Sequence, residues 1–246
     1  MDSRIKFVPL SKNYGIAGNS NEALKLATGE YVGFLDHDDM LAPFALYEVV
    51  KLLNEDPQTD FIYSDEDKLS ADWSRRYDPF FKPDWSPDTF LAYNYLCHFA
   101  VVRRRIVEEI GRFREGYDGS QDYDLILRII QKTTHIKRIP RILYHWRSVR
   151  TSVAFNMNVK SYSFPAAKKA IQEFLDARGQ KADVLDGFAL GAYRVKYHIK
   201  KSYRVGIIIP ARDNAQLLRH CISSILNMTD YKNYEIMVVD NQSSEK

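Results

Sequence analysis

Hydrophobic positions along the chain switch between two periods. Tyr31-Val32-Gly33-Phe34-Leu35, Phe61-Ile62-Tyr63-Ser64 and Ala100-Val101-Val102 are short apolar runs of buried-strand length. Between them, Ala23, Leu24 and Ala27 share one face of a helix predicted over 19–27, with Asn19 or Ser20 as N-cap and Gly29 as stop. Leu46, Val49, Val50 and Leu53 likewise mark a helix over 44–54, opened by Pro43. Shorter helices are predicted over 105–110, ended by Gly111, and over 122–131. Ile5 to Leu10 reads as a short strand, and 11–18 as a loop punctuated by Gly15 and Gly18. Strand and helix alternate, the pattern of an α/β fold with a mostly parallel sheet covered by helices.

Two stretches break this rhythm. Residues 68–95 are rich in aromatics, Pro and Asp without a clear period, so an ordered loop over the sheet is expected. Beyond an extended return over 136–143, a helix over 164–177 and a hairpin over 184–197 are expected. The chain then closes on Val205–Pro210, a helix over 217–226 and Tyr234–Asp240, two strongly apolar strands around a helix. No internal repeat is visible.

Length and charge narrow the class. At roughly 150 residues per domain, 246 residues suggest more than one domain and fewer than two. Thirty-five basic and 32 acidic residues leave +3, too little to argue for nucleic acid, and no RNA- or DNA-binding motif gathers the bases. No apolar run approaches the roughly 20 residues of a membrane span, and Met1-Asp2-Ser3-Arg4 leads into no apolar signal segment. Cys97 and Cys221 stand far apart with no paired spacing, which disfavours a disulfide framework or thiolate zinc site and fits a reducing compartment. There is no GxGxxG after a strand and no GKS or GKT.

Candidate chemistry concentrates at strand and helix ends. Asp36-His37-Asp38-Asp39 follows an apolar strand, where open α/β sheets bind ligands. Three carboxylates so close repel one another unless cations balance them, and carboxylate oxygens suit Mg²⁺ or Mn²⁺. The competing reading is a helix-capping cluster ahead of Pro43. Asp122 and Asp124 open a helix, where residues two apart do not face each other, so at most one points into a site. His145, in Leu143-Tyr144-His145-Trp146-Arg147, reads as a core histidine, a metal ligand or a phosphate contact. Arg147 and Arg150 have the planar fork that clamps a diphosphate.

These residues together resemble the family 2 glycosyltransferases of GT-A fold, a Rossmann-like α/β architecture. The resemblance rests on Gly29 to Asp39, Tyr63 to Lys68, Phe81 to Pro87, Asn94, Gly119 to Leu125 and Leu143 to Arg147, and spans about residues 1–153. It is similar in more detail to bacterial enzymes of O-antigen and capsule synthesis that carry tandem transferase domains. The resemblance implies a metal-dependent, inverting transfer from a UDP-, GDP- or dTDP-sugar to a saccharide or lipid-linked acceptor. It implies a cytoplasmic protein, peripheral at the inner face of the plasma membrane. Asp38 would hold Mn²⁺ or Mg²⁺, with His145 as a further metal contact. Asp36, Asp39, Asn21 and Arg147 would bind the donor, Asp122 would be the general base, and Asp65, Glu66, Trp85 and Asn94 would border the acceptor. A solvated acidic turn is the competing reading of Asp65 to Asp67, and core packing that of Trp85.

The domain expectation follows. Residues 1–153 read as a transferase domain lacking its usual opening strand–helix–strand, 154–203 as a linker helix and hairpin, and 204–246 as the start of such a domain. The tail either begins a second domain or completes the first sheet, within the chain or in a swapped homodimer. In that case Asp213 and Asp240 would contact the donor. The alternative function is an inactive nucleotide- or carbohydrate-binding module.

Overall fold

The computed structural model describes residues 2–148 and 163–244, arranged as two compact units, 1–197 and 198–246. Arg150 lies outside the described residues.

The first unit is α/β, as the periodicities predict. Its six-stranded sheet runs β1 (Tyr31–Gly33), β5 (Ala100–Arg103), β3 (Phe61–Ser70), β6 (Ile136–Ser148), β2 (Met40–Leu41), with β4 (Arg76–Phe80) on β3. The pairing is mixed: β3 and β6 are parallel, and the shorter partners run antiparallel. Strand alternation builds two cores. Phe61 and Tyr63 enter one cluster and Ile62 the other, as Val102 and Val101 do on β5. The helix α2 (Ala45–Glu55) covers the second face through Ala45 and Val49. The first face receives α1 (Gly15–Leu26), α3 (Pro87–Ala92), α4 (Arg104–Glu109) and α5 (Gln121–Ile129).

Several local expectations are corrected. Residues 5–10 form no strand and are exposed, because nothing pairs with them. The helix α1 begins at Gly15, so Asn19 lies inside it; its side chain instead accepts the Tyr14 N–H. The segment 68–95 is not all loop, since the end of β3, β4 and α3 fall within it. Aromatic packing orders it: Phe90 lies against Tyr95 and Tyr123 with edge-on rings. The long strand β3 carries Asp65, Glu66 and Asp67 inside the sheet, where no turn occurs. Ser64 pairs with Ile139 but Asp65 with Ile142, and the register slips over Pro140, which has no N–H to give.

The helix α6 (Ser163–Ala177) and the hairpin of β7 (Ala182–Asp186) and β8 (Tyr193–Tyr197) belong to the core of this unit. Ala167, Ile171 and Leu175, spaced at helical intervals, are buried in the cluster that holds Leu125 and Ile126 of α5. In the second unit, β9 (Val205–Ala211) and β10 (Tyr234–Asp240) pair in parallel across α7 (Ala215–Met228), in a sheet of their own. Asn214 caps α7 by accepting the Leu217 N–H.

Ile171 is fully buried, so Ile171→Ala should cost about 2–5 kcal/mol in urea unfolding. A loss below about 0.5 kcal/mol, the range of surface substitutions, would show that α6 is no part of the core.

Candidate active site

The acidic loop 36–39 is tied to the end of β6. Tyr144, fully buried, accepts the Asp36 N–H at 3.3 Å and donates its hydroxyl to Asp39 Oδ2. Arg147 donates its backbone N–H to Asp39 Oδ1 at 2.8 Å and its Nε to the Asp38 carbonyl at 2.7 Å, while its guanidinium lies over Trp73. Burial pushes the Asp39 carboxyl above its ordinary pKa against the pull of these bonds. Asp39 thus shapes the loop, and Asp36 is exposed and Asp38 half-buried.

Asp36 and Asp122 line one cavity of about 370 Å³. Its lining includes the apolar Leu24, Phe34, Phe113 and Leu125 together with Cys97 and His98. Asp122 sits in the first turn of α5, where the helix dipole favours a carboxylate. Asn94 Nδ2 donates to Asp122 Oδ2 at 3.0 Å. Burial raises the Asp122 pKa, and the charge of His98 opposes that shift. Asp124 turns the other way, buried and held by Arg114 and Arg128. One carboxylate of the pair therefore reaches the cavity, as the helix spacing predicts.

Asp65 and Glu66, expected at the acceptor, have partners inside the fold. Both are buried in β3, each held by an internal cation. Arg138 grips Asp65 through Nε at 3.1 Å and Nη2 at 3.0 Å. Lys82 Nζ reaches Glu66 Oε2 at 3.0 Å, the Cys97 carbonyl at 2.6 Å and the His98 carbonyl. All three ammonium protons thus have acceptors. His98 stacks on Tyr144 with its Nδ1 3.4 Å from Glu66 Oε2. Burial alone would lower the His98 pKa, but Cys97 and Glu66 push it well above its ordinary value.

His145 is 1% exposed, and its Nδ1 meets Asp67 Oδ1 with Arg76 beside them. It is engaged there by Asp67. No group of three His, Cys, Asp or Glu side chains among the described residues is arranged to hold a metal ion. The oxygen donors of the 36–38 loop do suit a hard cation that keeps water ligands. Asn21, expected at the donor, is tied to the Phe113 backbone. Its amide is spent on the Phe113 backbone, giving Nδ2 to the carbonyl at 2.9 Å and accepting the N–H at 3.0 Å. Trp85 is half-buried against Phe90. In the second unit, at the carboxyl ends of β9 and β10, Asp240 accepts the Ser243 N–H and hydroxyl, while Asp213 gives its N–H to Ser243 Oγ and accepts the Ser244 N–H.

Sequence reasoning assigned no role to Lys82, His98, Tyr144 or Arg138. Their signal is weak: a lysine between Phe81 and Pro83 reads as ordinary until burial is known.

Lys82→Met would leave Glu66 buried beside fewer cations, and should cost about 3–5 kcal/mol by urea unfolding. The double variant Lys82→Met/Glu66→Gln should recover part of that loss; additive losses would refute the pairing. The raised Asp122 pKa means that the fold gains stability from protonation below the ordinary carboxylate value and loses it as pH rises through the folded value. Asp122→Asn should therefore hold or raise Tm at pH 7, and a marked fall would contradict the burial penalty.

The description "Glycosyl transferase family 2" fits residues 1–111 and 206–246. An uncharacterized protein of Sinorhizobium fredii, y4gI, is 39% identical across 99% of this chain and 27% of its own length. The O-antigen biosynthesis protein RfbC of Myxococcus xanthus is 37% identical across 99% of this chain and 19% of its own. This chain thus spans about a quarter or less of these relatives. Among solved structures, S. aureus TarS 1–349 in complex with UDP-GlcNAc superposes with a TM-score of 0.51 at 17% identity, over 68% of this chain and 48% of that one. That likeness bears on the fold and agrees with the expected GT-A architecture. With more than half of its residues matched, the chain belongs to glycosyl transferase family 2.

Proposed function

We propose that this chain is part of a nucleotide-sugar-dependent glycosyltransferase of bacterial cell-surface polysaccharide synthesis, and that Asp122 is its general base. The observation that carries this reading is that Asp36, just beyond β1, and Asp122, in the first turn of α5, line the same cavity. A base must take the proton of the acceptor hydroxyl as its oxygen bonds to the anomeric carbon and the bond to the nucleoside diphosphate breaks. Burial gives Asp122 a raised proton affinity, which suits that role, and Asn94 fixes its orientation. Attack from the face opposite the leaving group inverts the anomeric centre.

Asp36 and Asp38 border the donor in this reading, and Arg147 holds their loop in shape. Asp38, with Asp36, would hold Mn²⁺ or Mg²⁺, which when bound stabilises the charge of the leaving diphosphate. The family resemblance and the carboxylate chemistry support that ion. The name of RfbC supports an O-antigen role, and the UDP-GlcNAc bound by TarS supports a nucleotide-sugar donor. A saccharide or lipid-linked acceptor follows from the same class. No described helix is long and apolar enough to cross a membrane. Residues 204–246 read as the opening of a further transferase domain, with Asp213 and Asp240 at its strand ends as donor contacts.

Thermal unfolding of the full chain with UDP-, GDP- and dTDP-sugars, with and without Mn²⁺, tests the donor reading. A bound donor at about a hundredfold over its Kd should stabilise the fold by about 2.7 kcal/mol. Asp38→Ala should abolish the Mn²⁺-dependent part. Asp122→Asn should keep the donor shift and lose at least about a hundredfold in transfer. Retained transfer in that variant would refute the base assignment.

A further inference from the structure

The hairpin of β7 and β8 turns through Gly187-Phe188-Ala189-Leu190-Gly191. Its inner face is anchored: Ala182 and Tyr193 are buried in the first core, and Val184 and Val195 pack against it. The tip is the reverse. Phe188 is fully exposed, Leu190 is half exposed, and Leu185 on the outer face is exposed as well. The turn is held by its own backbone. Gly187 donates its N–H to the Ala192 carbonyl at 2.9 Å, Ala192 donates to the Ala189 carbonyl at 3.1 Å, and Gly191 takes a left-handed φ of 77°. A fixed turn thus holds two large apolar side chains in water, where they gain nothing for the fold.

Basic residues stand behind the tip. In the hairpin register Arg194 is opposite Leu185 and Lys196 is opposite Asp183. Lys168 of α6 reaches Asp186 Oδ1 at 2.9 Å and offsets the acid nearest the turn. Over residues 178–197 four exposed bases, Arg178, Lys181, Arg194 and Lys196, meet only two acids. The whole chain carries just +3, so this short element holds a concentrated share of its positive charge.

An apolar point with a basic collar is complementary to an anionic bilayer, whose acyl boundary takes the point and whose phosphates take the collar. Arginine and lysine suit that depth, since their stems lie along apolar surface while their heads stay among phosphates. A protein partner matches the tip less well. A buried Phe covers about 150–250 Å², so the tip offers only a fraction of the roughly 800 Å² per side that a stable interface needs.

We propose that the tip of the β7–β8 hairpin is a membrane-docking wedge, with Phe188 and Leu190 entering the acyl boundary of an anionic bilayer and Arg194 and Lys196 on its phosphates. Tyr193, two residues past Gly191, packs on Tyr123 with ring centroids 6.2 Å apart, and Tyr123 follows Asp122. Docking therefore holds the start of α5 near the bilayer, where a lipid-linked acceptor lies. That consequence rests on the transferase reading, and the docking itself does not.

Flotation of the full chain with vesicles, without any nucleotide sugar, tests the wedge. Binding to phosphatidylcholine vesicles holding about 30% phosphatidylglycerol should exceed binding to pure phosphatidylcholine by at least about tenfold. Phe188→Ser/Leu190→Ser should lose at least about tenfold of that binding with Tm unchanged, because both are surface positions. Phe188→Trp should bind within about threefold of the wild type. Arg194→Gln/Lys196→Gln should lose about tenfold on the mixed vesicles and little on the neutral ones. No wild-type binding, equal binding by the double serine variant, or equal binding to neutral and anionic vesicles would each overturn the proposal. So would a dimer in sedimentation equilibrium that the serine variant abolishes, which would assign the tip to a second copy. Donor-induced stabilisation without vesicle binding would sink the wedge alone. Vesicle binding without donor stabilisation would sink the transferase reading and leave the wedge standing.

Discussion

Lys82 lies fully buried between the central strand and the segment that walls the cavity, and its three donors go to Glu66 and to the Cys97 and His98 carbonyls. An isolated ammonium in that position would be prohibitively costly, and the carboxylate of Glu66 is what allows it. The same contact fixes where residues 94–99 run. Asn94 then reaches Asp122, and His98 stacks on Tyr144, which in turn holds the loop of Asp36 and Asp39. One ion pair thus anchors the segment that lines the cavity beside Asp36 and Asp122.

Glu66 is the middle of three consecutive acids, and each has a separate cation. Asp65 takes Arg138, Glu66 takes Lys82, and Asp67 takes Arg76, with the His145 ring also hydrogen-bonded to its carboxylate. Three carboxylates threaded through a central strand would otherwise repel one another and resist burial. Their neutralisation leaves the exposed or cavity-facing acids, Asp36, Asp38 and Asp122, as the local excess of negative charge. The structure thus separates acids that hold the fold from acids placed to act.

Much of the candidate site was legible along the chain because its signals are local. An apolar run ending in Asp36-His37-Asp38-Asp39 declares a strand end with carboxylates, and Asp122 beside Asp124 declares a helix start with one inward side chain. Other residues named from the sequence have partners that spacing along the chain does not reveal. Asp65, Glu66, Asn21 and His145 carry the residue types of binding sites, yet their partners lie far away in sequence: Arg138, Lys82, Phe113 and Asp67. Nothing in a window of neighbours distinguishes a carboxylate awaiting a ligand from one already paired across a sheet.

The same division applies to the whole molecule. Hydrophobic period alone pointed to the α/β class, to helices over 44–54, 122–131 and 164–177, which the structure places at 45–55, 121–129 and 163–177, and to the apolar strands, because side-chain spacing and backbone geometry are local matters. Tertiary structure decided that α6 and its hairpin join the first core and that 5–10 forms no strand. It also decided which acids are neutralised, that His98 and Gln121 share a cavity with Asp122, and that Asn94 holds the Asp122 carboxylate. Those outcomes depend on desolvation and on contacts between distant segments, and burial is a property that no residue possesses until the chain has folded around it.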